Sequence, residues 1–112
     1  MRKAVAMFVL IAFVLTGCSN AADEPSGDSI QIQIDGGDIS PKGDRVETKT
    51  GDVITLQIDS DRAGELHVHS TPEQEFAFEI GKSTIELTID SPGIVDVEDH
   101  ETGVVILQLE VS

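Results

Sequence analysis

Apolar and polar residues alternate with a period of two through most of the chain, and this pattern constrains the fold more than any other feature. Residues 30–34 read Ile-Gln-Ile-Gln-Ile, and apolar side chains occupy every second position of 105–111. Such alternation is typical of β-strands with one buried and one exposed face. The same pattern predicts further strands at 53–58, 66–69, 76–80, 85–89 and 95–97.

Turn-forming residues separate these segments, and helical periodicity is nearly absent. Gly36-Gly37 follows the first run, Thr-Gly-Asp at 50–52 precedes the second, and Ser-Pro-Gly at 91–93 precedes the strand at 95–97. About seven or eight short strands spaced by turns predict an all-β fold, either a two-sheet sandwich or a small barrel.

The N-terminus has the three zones of an export signal. Arg2 and Lys3 are positively charged, residues 4–15 form an unbroken apolar run, and Leu-Thr-Gly-Cys follows at 15–18. The apolar run is short for a mature membrane-spanning helix, so we expect residues 1–17 to be a cleaved signal helix. The last four residues resemble the bacterial lipobox, which implies a diacylglyceryl group on Cys18. The alternative is an ordinary signal peptide with a cysteine nearby by chance.

Cys18 is the only cysteine of the chain, so it cannot form an intramolecular disulfide. We therefore expect it to anchor the protein in the lipid bilayer at the extracytoplasmic face of the cell membrane. Residues 18–28 are polar, with Pro25 and Gly27, and are predicted to form a flexible tether. Residues 29–112 are predicted to be a single β-sandwich domain.

The charge of the chain excludes some classes of partner. Removal of residues 1–17 takes away two of the seven basic residues and none of the 21 acidic ones, so the formal net charge changes from −14 to −16. Such a surface repels nucleic acid and anionic lipid, and it favours cations and basic partners. Alternatively, the negative charge serves only to keep the protein soluble outside the cell.

Motifs for catalysis and for nucleotide binding are missing from the sequence. There is no G-x-G-x-x-G, no Walker loop and no G-x-S-x-G, and only Phe76 and Phe78 provide aromatic rings after residue 17, apart from histidine. We therefore predict that the chain is not an enzyme and that it does not bind nucleic acid.

Three histidines are the candidate ligands for a metal ion. His67 and His69 form an H-x-H on a predicted strand, so their side chains point to the same face, and His100 lies in the turn before the last strand. Three imidazoles suit copper or zinc, with a carboxylate or water completing the coordination. Alternatively, protonated histidines pair with the neighbouring carboxylates as a structural or pH-sensitive cluster.

The order of several short motifs resembles that of the cupredoxins. Lys-Thr-Gly-Asp-Val-Ile-Thr-Leu at 49–56 resembles the entry to a cupredoxin strand, and residues 60–69 resemble the stretch that carries the first histidine ligand. Ile-Asp-Ser-Pro-Gly-Ile-Val at 89–95 is similar to the entry of the penultimate strand, and His100 falls in the closing loop. The resemblance implies a cupredoxin-like Greek-key β-sandwich with the histidines at one end.

The chain departs from the cupredoxin pattern at the ligands. A blue-copper site needs a thiolate, usually with a weak axial Met, but residues 29–112 contain neither Cys nor Met. The resemblance therefore implies a membrane-anchored lipoprotein that binds copper or zinc through His67, His69 and His100, with Glu65, Asp99 or Glu101 as further candidates. The alternative is a metal-free interaction or structural module with an envelope protein as its partner.

Overall fold

The computed structural model describes residues 29–112, which form nine β-strands and no helix. The predicted signal helix, the tether and Cys18 lie outside the described residues. The strands are β1 Ser29–Asp35, β2 Asp38–Ser40, β3 Asp44–Thr48, β4 Ile54–Ser60, β5 Gly64–Val68, β6 Gln74–Phe78, β7 Gly81–Leu87, β8 Gly93–Asp99 and β9 Val105–Val111.

These strands form two sheets, with the orders β2-β1-β4-β7 and β3-β9-β8-β5-β6. The pairs β1–β4 and β3–β9 are parallel, and the other neighbours are antiparallel. The predicted all-β sandwich is confirmed, with nine strands instead of seven or eight. The two additional strands are β2, which is too short to show an alternation, and β3, whose only apolar residue is Val46.

The core lies between the sheets and consists of aliphatic side chains with one large aromatic, Phe78. Most strands contribute every second residue to it, as the alternation predicts, and β9 also buries the consecutive residues Ile106 and Leu107. In β5, Leu66 and Val68 are fully buried. Their neighbours Glu65 and His67 therefore project from the opposite, outer face of the five-stranded sheet.

A tight turn between β8 and β9 brings His100 beside β5. The backbone N–H of Gly103 donates to the carbonyl of Asp99 at 2.8 Å, and Gly103 has a φ of 71°, a left-handed conformation that glycine adopts without strain. The N–H of His100 donates to the carbonyl of Glu65 at 3.0 Å. This bond attaches the turn to the start of β5.

Within residues 29–112, no helix has the length and apolar character needed to cross a membrane.

Candidate metal centre

His67 lies at the middle of a row of three residues on the outer face of the five-stranded sheet. Strand β5 runs between β6 and β8, and the register places His67 opposite Glu75 on one side and Glu98 on the other. The side chain of His67 is 17% exposed, so its ring is largely withdrawn from water while its nitrogen atoms face neighbouring side chains.

Both ring nitrogens of His67 face carboxylate oxygens. Nε2 lies 3.0 Å from Oε1 of Glu65 and 3.3 Å from Oε1 of Glu75. Nδ1 lies 3.6 Å from Oε1 of Glu73. In the part of the chain that the structure describes, Glu65, His67 and Glu75 are the one group of three or more whose ligand atoms all lie within 4.8 Å of one another.

His69 follows β5 directly and extends the same cluster. Its Nε2 lies 3.2 Å from Oε2 of Glu98, and its Nδ1 lies 3.8 Å from Oε1 of Glu73. The ring centroids of His67 and His69 are 6.2 Å apart, with the planes at 74°. Glu73 therefore faces both histidines with the same oxygen atom.

His100 contacts His67 by stacking. The two ring centroids are 4.3 Å apart and the planes differ by 29°. Among residues 29–112, the ring of His100 makes no hydrogen bond, and its nitrogens do not belong to the group formed by Glu65, His67 and Glu75. The structure thus brings all three predicted histidines together around His67, and ligation by His69 and His100 stays a prediction.

The cluster lies on an outer face of the sandwich, and the side chain of His67 projects from that face. The cause is the alternation of β5, which places Leu66 and Val68 in the core.

The interior near the β8–β9 turn is occupied by an ion pair. Asp99 is fully buried, and its Oδ2 accepts hydrogen bonds from Nη2 of Arg62 at 2.7 Å and from Oγ1 and N of Thr102 at 2.6 and 3.1 Å. Nη1 of Arg62 lies 3.1 Å from Oε2 of Glu101. Asp99 and Glu101, which the sequence offered as further metal candidates, are thus engaged with Arg62.

The hydrogen bonds of Asp99 decide the direction of its pKa shift. Burial by itself raises the pKa of this carboxyl, because a charge is costly away from water. The hydrogen bonds from the Thr102 hydroxyl, Arg62 and the Thr102 backbone, together with the positive charge of Arg62, outweigh burial and hold the pKa below its ordinary value of 3.8. Asp99 is therefore a buried, ionised partner of Arg62.

Gly64 allows this ion pair to pack against the core. Arg62 lies over the ring of Phe78 with its guanidinium carbon 5.9 Å from the ring centroid. A Cβ at Gly64 would lie 2.5 Å from Cζ of Phe78 and 2.7 Å from Nη1 of Arg62, closer than real contacts allow. The tight packing means that the interior beside Gly64 is filled by Arg62 and Phe78.

Three residues of this region were not predicted from the sequence: Glu73, Glu75 and Arg62. Glu75 occupies an exposed position of an alternating strand, but its place opposite His67 depends on the β5–β6 register. Arg62 was detectable as one of only five basic residues after residue 17. Its partner Asp99 is 37 positions away, a contact that no local pattern reveals.

Comparison with solved structures identifies the fold. A Cu(I) form of an amicyanin variant matches with a TM-score of 0.56 and 13% identity, over 75% of this chain and 82% of that one. A second amicyanin variant, in an oxidised form, matches with a TM-score of 0.55 and 15% identity, over 84% and 88% of the two chains. The blue copper oxidase from Nitrosomonas europaea matches with a TM-score of 0.53 and 15% identity, over 74% of this chain and 43% of that one.

No family model matches the chain, and no curated protein matches it. The structural matches therefore define the class of fold: the described residues form a cupredoxin-like β-sandwich. At 13 to 15% identity the likeness concerns the fold alone.

Proposed function

We propose that this chain is a lipid-anchored, extracytoplasmic cupredoxin-like protein that binds copper(II) on the outer face of its five-stranded sheet. His67, Glu65 and Glu75 are the ligands that we assign. The observation that carries the proposal is that both ring nitrogens of His67 face carboxylate oxygens, with Glu65 at 3.0 Å and Glu75 at 3.3 Å from Nε2.

A cation resolves an electrostatic conflict in this arrangement. A neutral imidazole has one N–H donor and one nitrogen lone pair, whereas an ionised carboxylate only accepts hydrogen bonds. One nitrogen of a neutral His67 therefore directs its lone pair at a carboxylate oxygen, and the two repel each other. A metal ion between them converts both atoms into ligands.

The donor atoms favour copper(II) among the first-row metals. Imidazole nitrogen and carboxylate oxygen suit divalent ions, whereas copper(I) prefers thiolates and thioethers, which residues 29–112 do not contain. Copper(II) binds a given nitrogen and oxygen site more tightly than zinc(II) does. Without a thiolate, the site does not form a blue-copper centre, so we propose a role in holding copper instead of electron transfer.

The anchor on Cys18 places this site at the membrane surface. A diacylglyceryl group embeds in the bilayer by burying methylene groups, each worth about 0.8 kcal/mol. We expect Cys18→Ala to abolish partitioning into a detergent phase. Partitioning that persists in this variant contradicts the anchor.

Copper titration in competition with a chelator tests the metal site. The full chain carries Cys18→Ser for this experiment and has no histidine tag, because a free thiol or a tag binds copper by itself. We expect His67→Ala to lose copper affinity and the control Gln57→Ala, on the other sheet, to retain it. Absence of binding tighter than micromolar, or equal binding by the two variants, contradicts the proposal.

The same contacts also favour a second candidate, a metal-free module of the cell envelope. A protonated His67 donates from both nitrogens and satisfies the surrounding carboxylates without a metal. Ile80 and Ile94 are 71% and 50% exposed and offer apolar contacts to an envelope protein. This candidate predicts that His67→Ala lowers stability while copper has no effect on either form.

A further inference from the structure

We propose that strand β7 pairs with β7 of a second copy of this chain, so that two four-stranded sheets join into one continuous sheet. The pairing is antiparallel about a two-fold axis at Thr84, and two-fold symmetry is the commonest symmetry of protein homo-oligomers. The contact uses none of the copper ligands and does not depend on the proposed function.

Strand β7 lies at the edge of the four-stranded sheet and is bonded on one side only. It pairs with β4 over its whole length, from Gly81 to Leu87. Among residues 29–112, β7 makes no backbone–backbone hydrogen bond outside this ladder. A row of backbone N–H and C=O groups therefore faces outward, and such a row is a template for a further strand.

Most features that protect an edge strand from pairing are absent from β7. The strand has seven residues, contains no proline and pairs with β4 without a register shift. Its inward positions carry the uncharged residues Ser83, Ile85 and Leu87. A lysine on the edge, here Lys82, is a common protection, so the outcome depends on what lies opposite Lys82.

The outer face of β7 is complementary to itself. Its exposed residues are Lys82, Thr84 and Glu86. When antiparallel pairing centres on Thr84, Lys82 of each copy lies opposite Glu86 of the other, and the two Thr84 side chains face each other. Opposite charges and threonine pairs at such positions stabilise a sheet. Centring on Lys82 or on Glu86 places like charges opposite each other, so the charges select one register.

The side chains of Lys82 and Glu86 are available for this contact. In the part of the chain that the structure describes, neither residue forms an ion pair. The register places Asp59 of β4 opposite Lys82, and Thr55 opposite Glu86. In the dimer Glu86 therefore gains a cation on its free side, where its own β4 neighbour is uncharged.

The other edge strands fit a second copy less well. Strand β2 has only three residues. In β3, Arg45 already contacts Glu110 at 3.9 Å and Gln108 at 3.4 Å in its own chain. Strand β6 has a single charged residue, Glu75, so pairing with itself gains no ion pair. These differences favour β7 as the interface.

A contact made by one strand is small, so we expect a weak dimer. Stable interfaces typically bury about 1,600 Å² in total, and two paired edge strands bury less. The acidic copies also repel each other, but the Debye length is only about 8 Å at 0.15 M salt. Association is therefore best measured at physiological salt and at high protein concentration.

Sedimentation equilibrium of charge-reversed variants tests the pairing. The full chain with Cys18→Ser is studied in density-matched detergent micelles without copper, and we expect it to dimerise. Lys82→Glu and Glu86→Lys are each expected to lower the association constant about tenfold, because two attractive pairs become two repulsive ones. Glu86→Lys also reduces the net negative charge, so general repulsion between the copies does not explain its loss of association.

Two restored dimers identify the register. The double variant Lys82→Glu/Glu86→Lys exchanges the charges and is expected to associate like the parent. An equimolar mixture of the two single variants is expected to form a heterodimer, since opposite charges face each other again. The controls Lys42→Glu and Glu47→Lys make the same charge changes away from β7 and are expected to retain the association of the parent.

Several results overturn the proposal. A parent that stays monomeric does so, as does equal association of all the variants, which places the contact outside β7. Loss of association in both single variants without restoration in the double variant and the mixture excludes the proposed register. Loss in Glu47→Lys, with association retained in Lys82→Glu, assigns the contact to β3 instead.

Discussion

The outer faces of the two sheets carry equivalent rows of residues with opposite chemistry. On the four-stranded sheet, the register aligns Gln31, Gln57 and Thr84 across β1, β4 and β7. On the five-stranded sheet it aligns Glu75, His67 and Glu98 across β6, β5 and β8. Both rows have an inner strand at their centre, so the difference in chemistry comes from the side chains and not from the architecture.

Hydrogen-bond donors and acceptors are paired in the first row, but acceptors outnumber donors in the second. The amide of Gln31 donates to the amide oxygen of Gln57, so neutral donors and acceptors are matched. In the second row, acceptors surround a ring that has only one donor when it is neutral. The two rows thus differ in the acceptors left unmatched around His67, which is where we propose that copper(II) binds.

The two sheets differ on their buried sides as well. Beneath the neutral row of Gln31, Gln57 and Thr84, β1 contributes Ile32 and Ile34 to the core.

Beneath the acidic row of Glu75, His67 and Glu98, on what we call the acidic face, β8 contributes the fully buried Asp99. Asp99 is paired with Arg62. Among residues 29–112, the five-stranded sheet therefore depends on a buried charge that the four-stranded sheet lacks.

The largest expected effect follows from removal of that interior charge. Asp99→Ala leaves Arg62 without its main partner, and we expect the free energy of unfolding to fall by about 3 kcal/mol, at the lower end for a broken buried pair because Arg62 is partly exposed. Urea unfolding followed by circular dichroism measures it. The control Asp59→Ala, on the four-stranded sheet, is expected to change stability by less than about 0.5 kcal/mol. Equal losses in the two variants contradict the comparison.

The lowered pKa of Asp99 leads us to expect that the free energy of unfolding depends on pH. The pKa of Asp99 is lowered in the folded state, so the unfolded chain binds its proton first as the pH falls. Its contribution to stability is therefore complete above the ordinary value of 3.8 and is lost as the pH falls through the lowered pKa. We expect the stability difference between the parent and Asp99→Asn to shrink over that range. A difference that is constant with pH excludes this ion pair as the cause.

The second-largest expected effect is the stabilisation of the folded chain by copper(II). A ligand present at a hundred times its dissociation constant stabilises the folded state by about 2.7 kcal/mol, and we expect this gain for the parent. His67→Gln places a glutamine at the centre of the acidic row, as Gln57 is at the centre of the neutral row. We expect the stabilisation by copper to disappear in this variant. Thermal unfolding with and without copper(II) measures both. A gain that survives in His67→Gln places the copper elsewhere.

A smaller effect is expected at the edge of the acidic row. Glu75→Gln keeps the size of the side chain but removes its charge, and we expect copper affinity to fall roughly tenfold, as for the loss of one supporting ligand. Thr84→Ala, at the equivalent edge of the neutral row, is the matched control. Chelator competition measures both, and an unchanged affinity in Glu75→Gln removes it from the ligand set.

The smallest effect is expected for His100. His100→Ala removes the stack against His67, so we expect a loss of about 0.5 to 1 kcal/mol of stability and little change in copper affinity. A clear fall in copper affinity identifies His100 as a ligand, the role that the sequence predicts. Isothermal titration of this variant distinguishes the two roles.

The sequence was sufficient for the sandwich and for part of the site. Alternation places His67 and His69 on one face because the strand period is two, and the turn at 100–103 follows from its composition. Alternation does not specify the strand register, and it is the register that places Glu75 and Glu98 opposite His67. It also does not reveal the inward position of Asp99, because a lone charged residue at the end of a strand reads as part of the turn.

Copper-induced broadening of amide resonances tests the central claim most directly. Copper(II) is paramagnetic and broadens the signals of nearby nuclei, so sub-stoichiometric copper added to the 15N-labelled full chain with Cys18→Ser reports where the ion binds. We expect the amides of His67, Glu75 and Glu98 to disappear first, while those of Gln57 and Thr84 remain. Loss of signals from the neutral row first, or no selective loss at all, contradicts a copper site on the acidic face.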